Sequence, residues 1–376
     1  MGDQWGFNLF QQIYCFSMMT GIVSGHKGSE QELQDAMITI FNDKVPGLTG
    51  NWTISWGPRV FKEKKDPKYG PDNVWFAAID EKQKICVVAI AGTQADSGPD
   101  IYQDIDVVEV VDFNAWVGQW SQHGGITEPQ TADPTENKLL PYCAKGVCAG
   151  VWNVLRNTST AAGEGMRIDE YLRSLDSSYT VVFTGHSLGG ALAPISAKGL
   201  TQANLIGDRT VKVLASAGVS PGNEIFAANY TSSFPQDPPS GEGYQVYNLD
   251  FYNTLDVVPQ AWSINLLDDR NLENILTKII HPSEDFSLAA KILFVLAFGQ
   301  SLMSKIRYTP LPGRSFTGPP PPDVVNSVSE VLDYLSNGHV YYYWKETGIY
   351  EFMTKFYDGI SEQLGRPPKF DGEGSR

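Results

Sequence analysis

The sequence has few cysteines and few basic residues for its length. Four cysteines in 376 residues are too few for disulfides to stabilise a chain of this length. Only one pair of them is close in sequence, so the cysteine spacing does not predict a zinc site. Cys143 and Cys148 are close enough in sequence for a local disulfide, but we expect free thiols. Only 28 Lys and Arg oppose 43 Asp and Glu, a formal net charge of −15. This charge argues against nucleic acid and anionic membrane surfaces as partners, but it does not exclude neutral lipid.

The sequence also lacks a long uninterrupted apolar run. The most apolar stretch, Phe286 to Met303, is broken by Lys291 and by Gly299-Gln300-Ser301, so it predicts a buried or amphipathic helix and no transmembrane span. The first residues carry no Lys or Arg before their apolar part, which does not fit a secretory signal. We therefore expect a protein that is either cytosolic or secreted with its signal removed.

The order of apolar runs predicts the class of fold. With 42% hydrophobic and 19% charged residues, the chain can build a large core. Strand patterns alternate with helical patterns, which predicts a mostly parallel central sheet flanked by helices. The predicted helices are 7–22, 28–41, 145–157 and 166–176, and the predicted strands are 74–79 and 85–91 (as a hairpin), 179–184, 211–217 and 244–249.

Two segments interrupt this α/β pattern. Residues 95–142 are rich in Gly, Pro, Asp and Trp, and residues 260–325 end in a run of prolines. We expect one domain over 1–376, with these segments as insertions of the kind that form lids or pocket walls, or that simply fill structure. We expect residues 367–376 to form a flexible tail.

The stretch VVFTGHSLGGALA, residues 181–193, joins a predicted strand to a helix rich in small residues. Its centre fits G-x-S-x-G, in which a serine stands on a sharp strand-to-helix turn with strained backbone angles. The flanking glycines allow the strand and the helix to approach closely. The hydroxyl of Ser187 then stands at a helix N-terminus, where unpaired N–H groups favour a developing negative charge.

A nucleophilic serine needs a histidine base, and the base needs a carboxylate that fixes its tautomer. In α/β-hydrolase-type folds the chain order is Ser, then Asp or Glu, then His. This order excludes His26 and His123, and we expect the side chain of His186 to point to the other side of the turn. His339 follows a Gly-containing loop and precedes an aromatic run that can anchor it. It therefore ranks above His281, which precedes a proline inside an insertion.

The carboxylate is expected just past the end of a strand. Asp256 follows the predicted strand 244–249 in the segment Asn253-Thr254-Leu255-Asp256-Val257-Val258-Pro259 and is the best candidate. Asp250 is the runner-up, although a strand-end or turn role suits it better.

These residues make the chain resemble the class 3 lipases, the α/β-hydrolase family that includes the fungal triacylglycerol lipases. GHSLGG is similar to the family's elbow, and 253–259 is similar to its N-x-x-D-x-V-P segment. Three outer segments resemble family motifs as well. Residues 88–93 resemble its R-G-T/S segment, with Ala91 in place of arginine, and residues 339–342 resemble its H-x-x-Y ending. Residues 216–223 resemble the strand and turn between the nucleophile and the acid, although the arginine often found there is absent. Lys145-Gly146-Val147 stands where the family often has H-x-G-F. The resemblance runs from about residue 7 to 345.

The resemblance implies an oxyanion hole and a substrate class. By position, its donors are the backbone N–H of Thr93, with its hydroxyl as a further candidate, and the backbone N–H of Leu188. Such donors contribute about 3–4 kcal/mol each to transition-state stabilisation in comparable enzymes. For Thr93, a simple turn role after a strand is the alternative. The expected substrate is an apolar acyl ester such as an acylglycerol, with a lipid–water interface as one setting.

The sequence therefore predicts a carboxylic ester hydrolase that acts through an acyl-enzyme on Ser187, with His339 and Asp256, and that needs no metal or cofactor. A phospholipase A1, an aryl esterase or an acyltransferase with the same triad remains open, because the shape of the pocket decides among them. A lipase-like binding protein without catalysis is the third alternative. It is disfavoured because decayed catalysts usually lose one triad member, whereas this chain has all three.

Overall fold

In this computed structural model the described residues are 5–91, 106–122, 124–279, 295–320, 333–334 and 336–365. Seven strands of these residues form one sheet, in which they lie side by side in chain order. The strands of this sheet are β1 Trp52–Phe61, β2 Asn73–Asp80, β3 Ile85–Ile90, β6 Thr180–His186, β7 Val211–Ser216, β9 Asp250–Asn253 and β11 Gly313–Phe316. The pairs β1–β2 and β2–β3 are antiparallel, and every other pair is parallel. The sheet is therefore mostly parallel, as predicted.

Helices cover both faces of the sheet, and each face has its own apolar core. They are α1 Leu9–Met19, α2 Glu30–Lys44, α3 Phe113–Gln122, α4 Lys145–Arg156, α5 Ile168–Ser174, α6 Gly189–Gln202, α7 Glu224–Ser233, α8 Tyr342–Glu346 and α9 Tyr350–Leu364. Side chains of α3 to α7 pack on one face, and those of α1, α2, α8 and α9 pack on the other. A sheet covered on both faces requires strands that are apolar throughout, and β3 has that character.

Most predicted elements form close to their predicted bounds. The hairpin is confirmed by the antiparallel register of β2 and β3, which pairs Trp75 with Ile90 and Asp80 with Ile85. The helix predicted over 7–22 begins at Leu9 because Asn8 caps it, accepting a hydrogen bond from the N–H of Gln11 at 3.0 Å.

The strand predicted over 244–249 is wrong. The strand that joins the sheet there is β9, and it begins only at Asp250. Asn248 has a positive φ of 70°, and its side-chain Oδ1 accepts a hydrogen bond from the N–H of Val213 at 2.9 Å. A side chain thus occupies the position on β7 that a strand backbone would have used, and the ladder starts after it.

The two predicted insertions contain regular structure. The first contributes α3 and strand β4 Val110–Asp112, which pairs with β5 Tyr142–Ala144 in a small antiparallel sheet completed by β8 Gly222–Asn223 and β10 Tyr308–Thr309. The second contributes β10 and the edge strand β11. Of the predicted apolar helix, residues 295–303 are described and helical. Ser301 is buried there while Leu302 and Met303 are exposed, so apolar side chains of the described part face outward, which neither a buried helix nor an inward-facing apolar stripe predicts.

The four cysteines are free and buried. Within the described residues, no helix is both long enough and apolar enough to cross a membrane.

Candidate active site

Ser187 lies between the end of β6 at His186 and the start of α6 at Gly189. Its φ is +61°, a left-handed conformation that is costly for a residue other than glycine. Its backbone N–H donates to the carbonyl of Ser216 on the neighbouring strand β7 at 3.1 Å. The strained turn predicted for this serine is confirmed, and the turn is fastened to the sheet beside it.

The glycines around Ser187 are needed because backbones approach each other closely here. A Cβ atom on Gly185 would lie 2.2 Å from the carbonyl oxygen of Gly189, and one on Gly189 would lie 2.2 Å from that of Ile90. Real Cβ atoms do not approach backbone that closely, so α6 meets the ends of β3 and β6 only with glycine at these positions. The close packing predicted for the elbow is confirmed.

Asp256 follows β9 in the turn that leads to Val258–Gln260, and its side chain is completely buried. The carboxylate accepts three hydrogen bonds. Its Oδ2 lies 2.7 Å from Nδ1 of His339 and accepts from the Tyr343 hydroxyl at 2.9 Å, and its Oδ1 accepts from the N–H of Val258 at 3.0 Å. These donors satisfy the hydrogen-bonding capacity of a carboxylate that water does not reach.

His339 lies in a short π-helical turn, Asn337–Tyr341, and a side chain of β9 hydrogen-bonds to the backbone of this turn. The amide Nδ2 of Asn253 donates to the carbonyl of the preceding residue Gly338 at 3.1 Å. The Asp256 carboxylate can only accept, so Nδ1 of His339 carries a proton and Nε2 of the neutral ring has the lone pair. This Nε2 is buried and has no hydrogen-bond partner among the residues that the structure describes. His339 therefore has an acceptor nitrogen without a partner, and its ring lies against that of His186 at the end of β6.

The other candidates from the sequence have different surroundings. Asp250 is buried at the start of β9, where its Oδ2 lies 2.5 Å from Nη1 of Arg270 and its Oδ1 accepts from the N–H of Gly218. These partners give it a role in holding the second insertion against the sheet. His281 and Thr93 lie outside the described residues. Leu188 is the N-cap residue of α6, and the N–H groups of Gly190 and Ala191 after it donate to the carbonyls of Ser187 and Leu188.

Two side chains at this site were missed by sequence reasoning. Tyr343 bridges Asp256 and the β9 backbone, because its hydroxyl also accepts from the N–H of Asn253 at 2.8 Å. His186 was set aside in the search for a base, yet its ring lies against that of His339 with centroids 4.6 Å apart. The aromatic run after His339 was a signal for Tyr343. For His186 the signal was its place at the end of a central strand beside the serine.

No group of three or more His, Cys, Asp and Glu side chains suited to a metal ion occurs in the part of the chain that the structure describes.

Comparison with known proteins supports the predicted family resemblance and the predicted fold. Residues 116–265 match the family model described as Lipase (class 3), so the predicted resemblance is confirmed over this segment. The structure is similar to the crystal structure of M37 lipase, with a TM-score of 0.67 at 18% identity over 96% of this chain and 100% of that one. This likeness shows a shared fold and confirms the predicted α/β-hydrolase architecture. No curated protein matches the chain in sequence.

Two yeast and fungal lipases are similar at lower scores. They are the nonglycosylated LIP2 lipase of Yarrowia lipolytica (TM-score 0.41, 18% identity, 69% of this chain and 76% of that one) and a triacylglycerol lipase from Penicillium expansum (TM-score 0.38, 18% identity, 70% and 75%). Scores of this size carry no argument about the fold. The family match is what supports lipase activity, and with it a hydrolase that acts on lipid esters.

Proposed function

We propose that the protein is a serine ester hydrolase in which Ser187 attacks the ester carbonyl and an acyl-enzyme forms on its Oγ. His339 accepts the serine proton through Nε2 and passes it to the leaving alcohol, and Asp256 orients the ring and stabilises the imidazolium. Water activated by His339 then releases the acid. The observation that carries this proposal is the 2.7 Å contact between Nδ1 of His339 and Oδ2 of Asp256, which leaves Nε2 buried and unpaired.

Two backbone N–H groups are proposed to bind the oxyanion. The first is that of Leu188, at the start of α6. The second is that of Thr93, supported by the course of the chain before it. The strand β3 runs parallel to β6, and the Ile90 carbonyl and the Ala91 Cα lie against Gly189 of the elbow. Because the carboxyl ends of parallel neighbours meet at one edge of a sheet, Ala91 and the elbow lie at the same edge.

The proposed substrate class is a lipid ester such as an acylglycerol. The family match supports it, and so do exposed apolar side chains in the second insertion. Leu266 and Leu267 are 70% and 91% exposed, and they follow closely after Asp256 in a loop tied to it. The amide of Gln260 donates to the Asp256 carbonyl at 3.2 Å, and its Oε1 accepts from Asn274 at 2.8 Å. Exposed apolar side chains on an anchored loop suit contact with a lipid surface.

The alternatives differ in their pockets and products. A phospholipase A1, an aryl esterase or an acyltransferase would use the same three side chains with another acyl acceptor or head group. A lipase-like binding protein would retain the fold without turnover. The intact pairing of His339 with Asp256 beside Ser187 favours catalysis over binding alone.

The experiment is hydrolysis of p-nitrophenyl esters from acetyl to palmitoyl by the wild type, by Ser187→Ala and by Ser232→Ala. Ser232 is an exposed serine on α7 and is the matched control. We expect turnover that is greatest for long acyl chains, is retained by the control and is lost by Ser187→Ala while its melting temperature stays unchanged. Greatest turnover for short chains would indicate an esterase. Retained activity in Ser187→Ala would overturn the proposed nucleophile, and a folded wild type without turnover would favour the acyltransferase or binding alternatives.

A further inference from the structure

His186 forms hydrogen bonds with both of its ring nitrogens. Nδ1 lies 2.8 Å from the Ser216 hydroxyl, and Nε2 lies 2.7 Å from the backbone carbonyl of His339. The parallel register of β6 and β7 pairs His186 directly with Ser216, so the two side chains project from the same face of the sheet. A link of three residues thus joins the last position of β7 to the backbone of the proposed base.

The partners of His186 fix where its proton sits. A carbonyl oxygen cannot donate, so Nε2 of His186 must carry the hydrogen that it shares with His339. Nδ1 of the neutral ring then accepts from the Ser216 hydroxyl. One neutral tautomer therefore satisfies both ring nitrogens. Protonation of Nδ1, which would make the ring an imidazolium, would break the hydrogen bond that Nδ1 accepts from the Ser216 hydroxyl.

The surroundings of His186 also favour the neutral ring. Its ring packs against those of His339 and Tyr343, with centroids 4.6 and 4.9 Å away, and Tyr14 on α1 lies beyond Ser216. Burial, and next the proximity of His339, hold the pKa of His186 well below its ordinary value. The Asp256 carboxylate is bonded to His339 and Tyr343. No carboxylate hydrogen-bonds to the His186 ring among the described residues.

We propose that His186 is a positioning residue of the active site: a neutral imidazole that holds His339 by its backbone carbonyl and its ring face, and so fixes the orientation in which Nε2 of His339 accepts the serine proton. This inference rests on the proposed function, since it presumes that His339 is the base. Asp256 fixes His339 through Nδ1, Asn253 fixes the preceding carbonyl, and His186 fixes the carbonyl of His339 itself. Three contacts, from β6, from β9 and from the turn after β9, thereby determine the orientation of one ring.

Neutrality of His186 is part of this role. His339 becomes an imidazolium each time it accepts the serine proton, and a second cation stacked on it would oppose that step. A neutral ring in the same place allows His339 to charge while keeping its geometry. His186 touches no reacting atom, so its effect is expected on kcat and not on substrate binding.

The test compares His186→Phe, which keeps a ring and loses both hydrogen bonds, with His186→Gln, whose amide N–H can still donate to the His339 carbonyl. Because a small misplacement of a catalytic group costs about 100-fold in rate, we expect kcat of His186→Phe to fall about 100-fold with KM within about twofold. We expect His186→Gln to recover at least about tenfold of this loss. Equal kcat in wild type and His186→Phe, or a loss in KM alone, would overturn the proposal.

A second measurement uses the wild-type protein, so it decides the question even if His186→Phe does not fold. In ¹⁵N spectra of histidine-labelled protein, assigned with His186→Gln, we expect His186 to show the Nε2–H tautomer and no titration between about pH 5 and pH 9. Titration near the ordinary histidine value would contradict the proposal. Failure of the proposed function is recognised separately, because Ser187→Ala or His339→Ala would then retain activity whatever His186 does.

Discussion

Nδ1 of His339 lies 2.7 Å from Oδ2 of Asp256, although 83 residues separate them in the chain. The whole second insertion, 260–325, lies between them, and its strand β11 pairs with β9 in parallel register. The hydrogen bond between His339 and Asp256 therefore depends on the pairing of β9 with β11 at the edge of the sheet. Asn253 ties that edge together, because its Oδ1 accepts from the N–H of Gly318 at 2.9 Å and its Nδ2 donates to Gly338.

Asp256→Asn is expected to leave the fold intact and to lower kcat by about 10⁴-fold, because an amide that donates to Nδ1 selects the wrong tautomer of the base. The measurement is steady-state hydrolysis of a soluble p-nitrophenyl ester, with circular dichroism as the check on folding. Asp358→Asn, at an exposed position of α9, is the matched control and should keep wild-type kcat. A folded Asp256→Asn protein with a loss below about tenfold would argue against Asp256 as the orienting acid.

Leu266→Ser combined with Leu267→Ser is expected to reduce hydrolysis of emulsified triacylglycerol severalfold while leaving soluble p-nitrophenyl acetate unaffected. Both side chains are exposed in the folded protein, so the change costs little core packing and removes apolar area available to a lipid surface. Leu139→Ser, at a position 79% exposed in the other insertion, serves as the control. An equal fall on both substrates would assign the effect to the active site and not to lipid contact.

Gly189→Ala is expected to destabilise the protein by about 1–3 kcal/mol or more and to impair activity, because its Cβ would have to push back the Ile90 carbonyl. Gly118→Ala is the contrasting variant. Gly118 lies inside α3, and a Cβ there would meet nothing within 4 Å. Alanine should therefore raise the free energy of unfolding by about 0.5–1 kcal/mol. Urea unfolding measures both, and equal effects in the two variants would contradict the close packing of the elbow.

Arg270→Leu is expected to cost about 3–5 kcal/mol of stability at neutral pH, because it leaves the buried Asp250 carboxylate without its cation. Burial raises the pKa of Asp250 to about 6, and Arg270 opposes that shift. Without Arg270 the pKa rises further.

A carboxyl with a raised folded-state pKa binds its proton more tightly when folded. Its contribution to stability is therefore full below the unfolded-state pKa and is lost as pH rises through the folded-state value. Arg270→Leu should thus be less stable relative to wild type at pH 8 than at pH 5, and adding Asp250→Asn should recover much of the loss at pH 8. Urea unfolding at the two pH values checks this, and a pH-independent difference would refute it.

The elbow could be predicted in detail because its requirements are local. A strand, a helix and a serine within a few residues force the positive φ of Ser187, and Gly185 and Gly189 follow from the contact between their own neighbours. The strand before the acid could not be predicted in the same way. Residues 244–249 have the composition of a strand, but the Asn248 side chain accepts a hydrogen bond from β7. The pattern of apolar and polar residues does not predict that a side chain replaces the strand backbone as a hydrogen-bond partner.

The sequence by itself determined the class of fold, the strained serine and a short set of candidate partners, because periodicity, glycine and chain order act over short distances. Only the tertiary structure decided which of those partners meet. Asp256 and His339 are joined across the sheet edge at β9, and His186 reaches His339 over 153 residues because β6, β7 and the turn after residue 336 end at one place. Contacts of this kind depend on how layers pack and where parallel strands stop, and no local pattern specifies either.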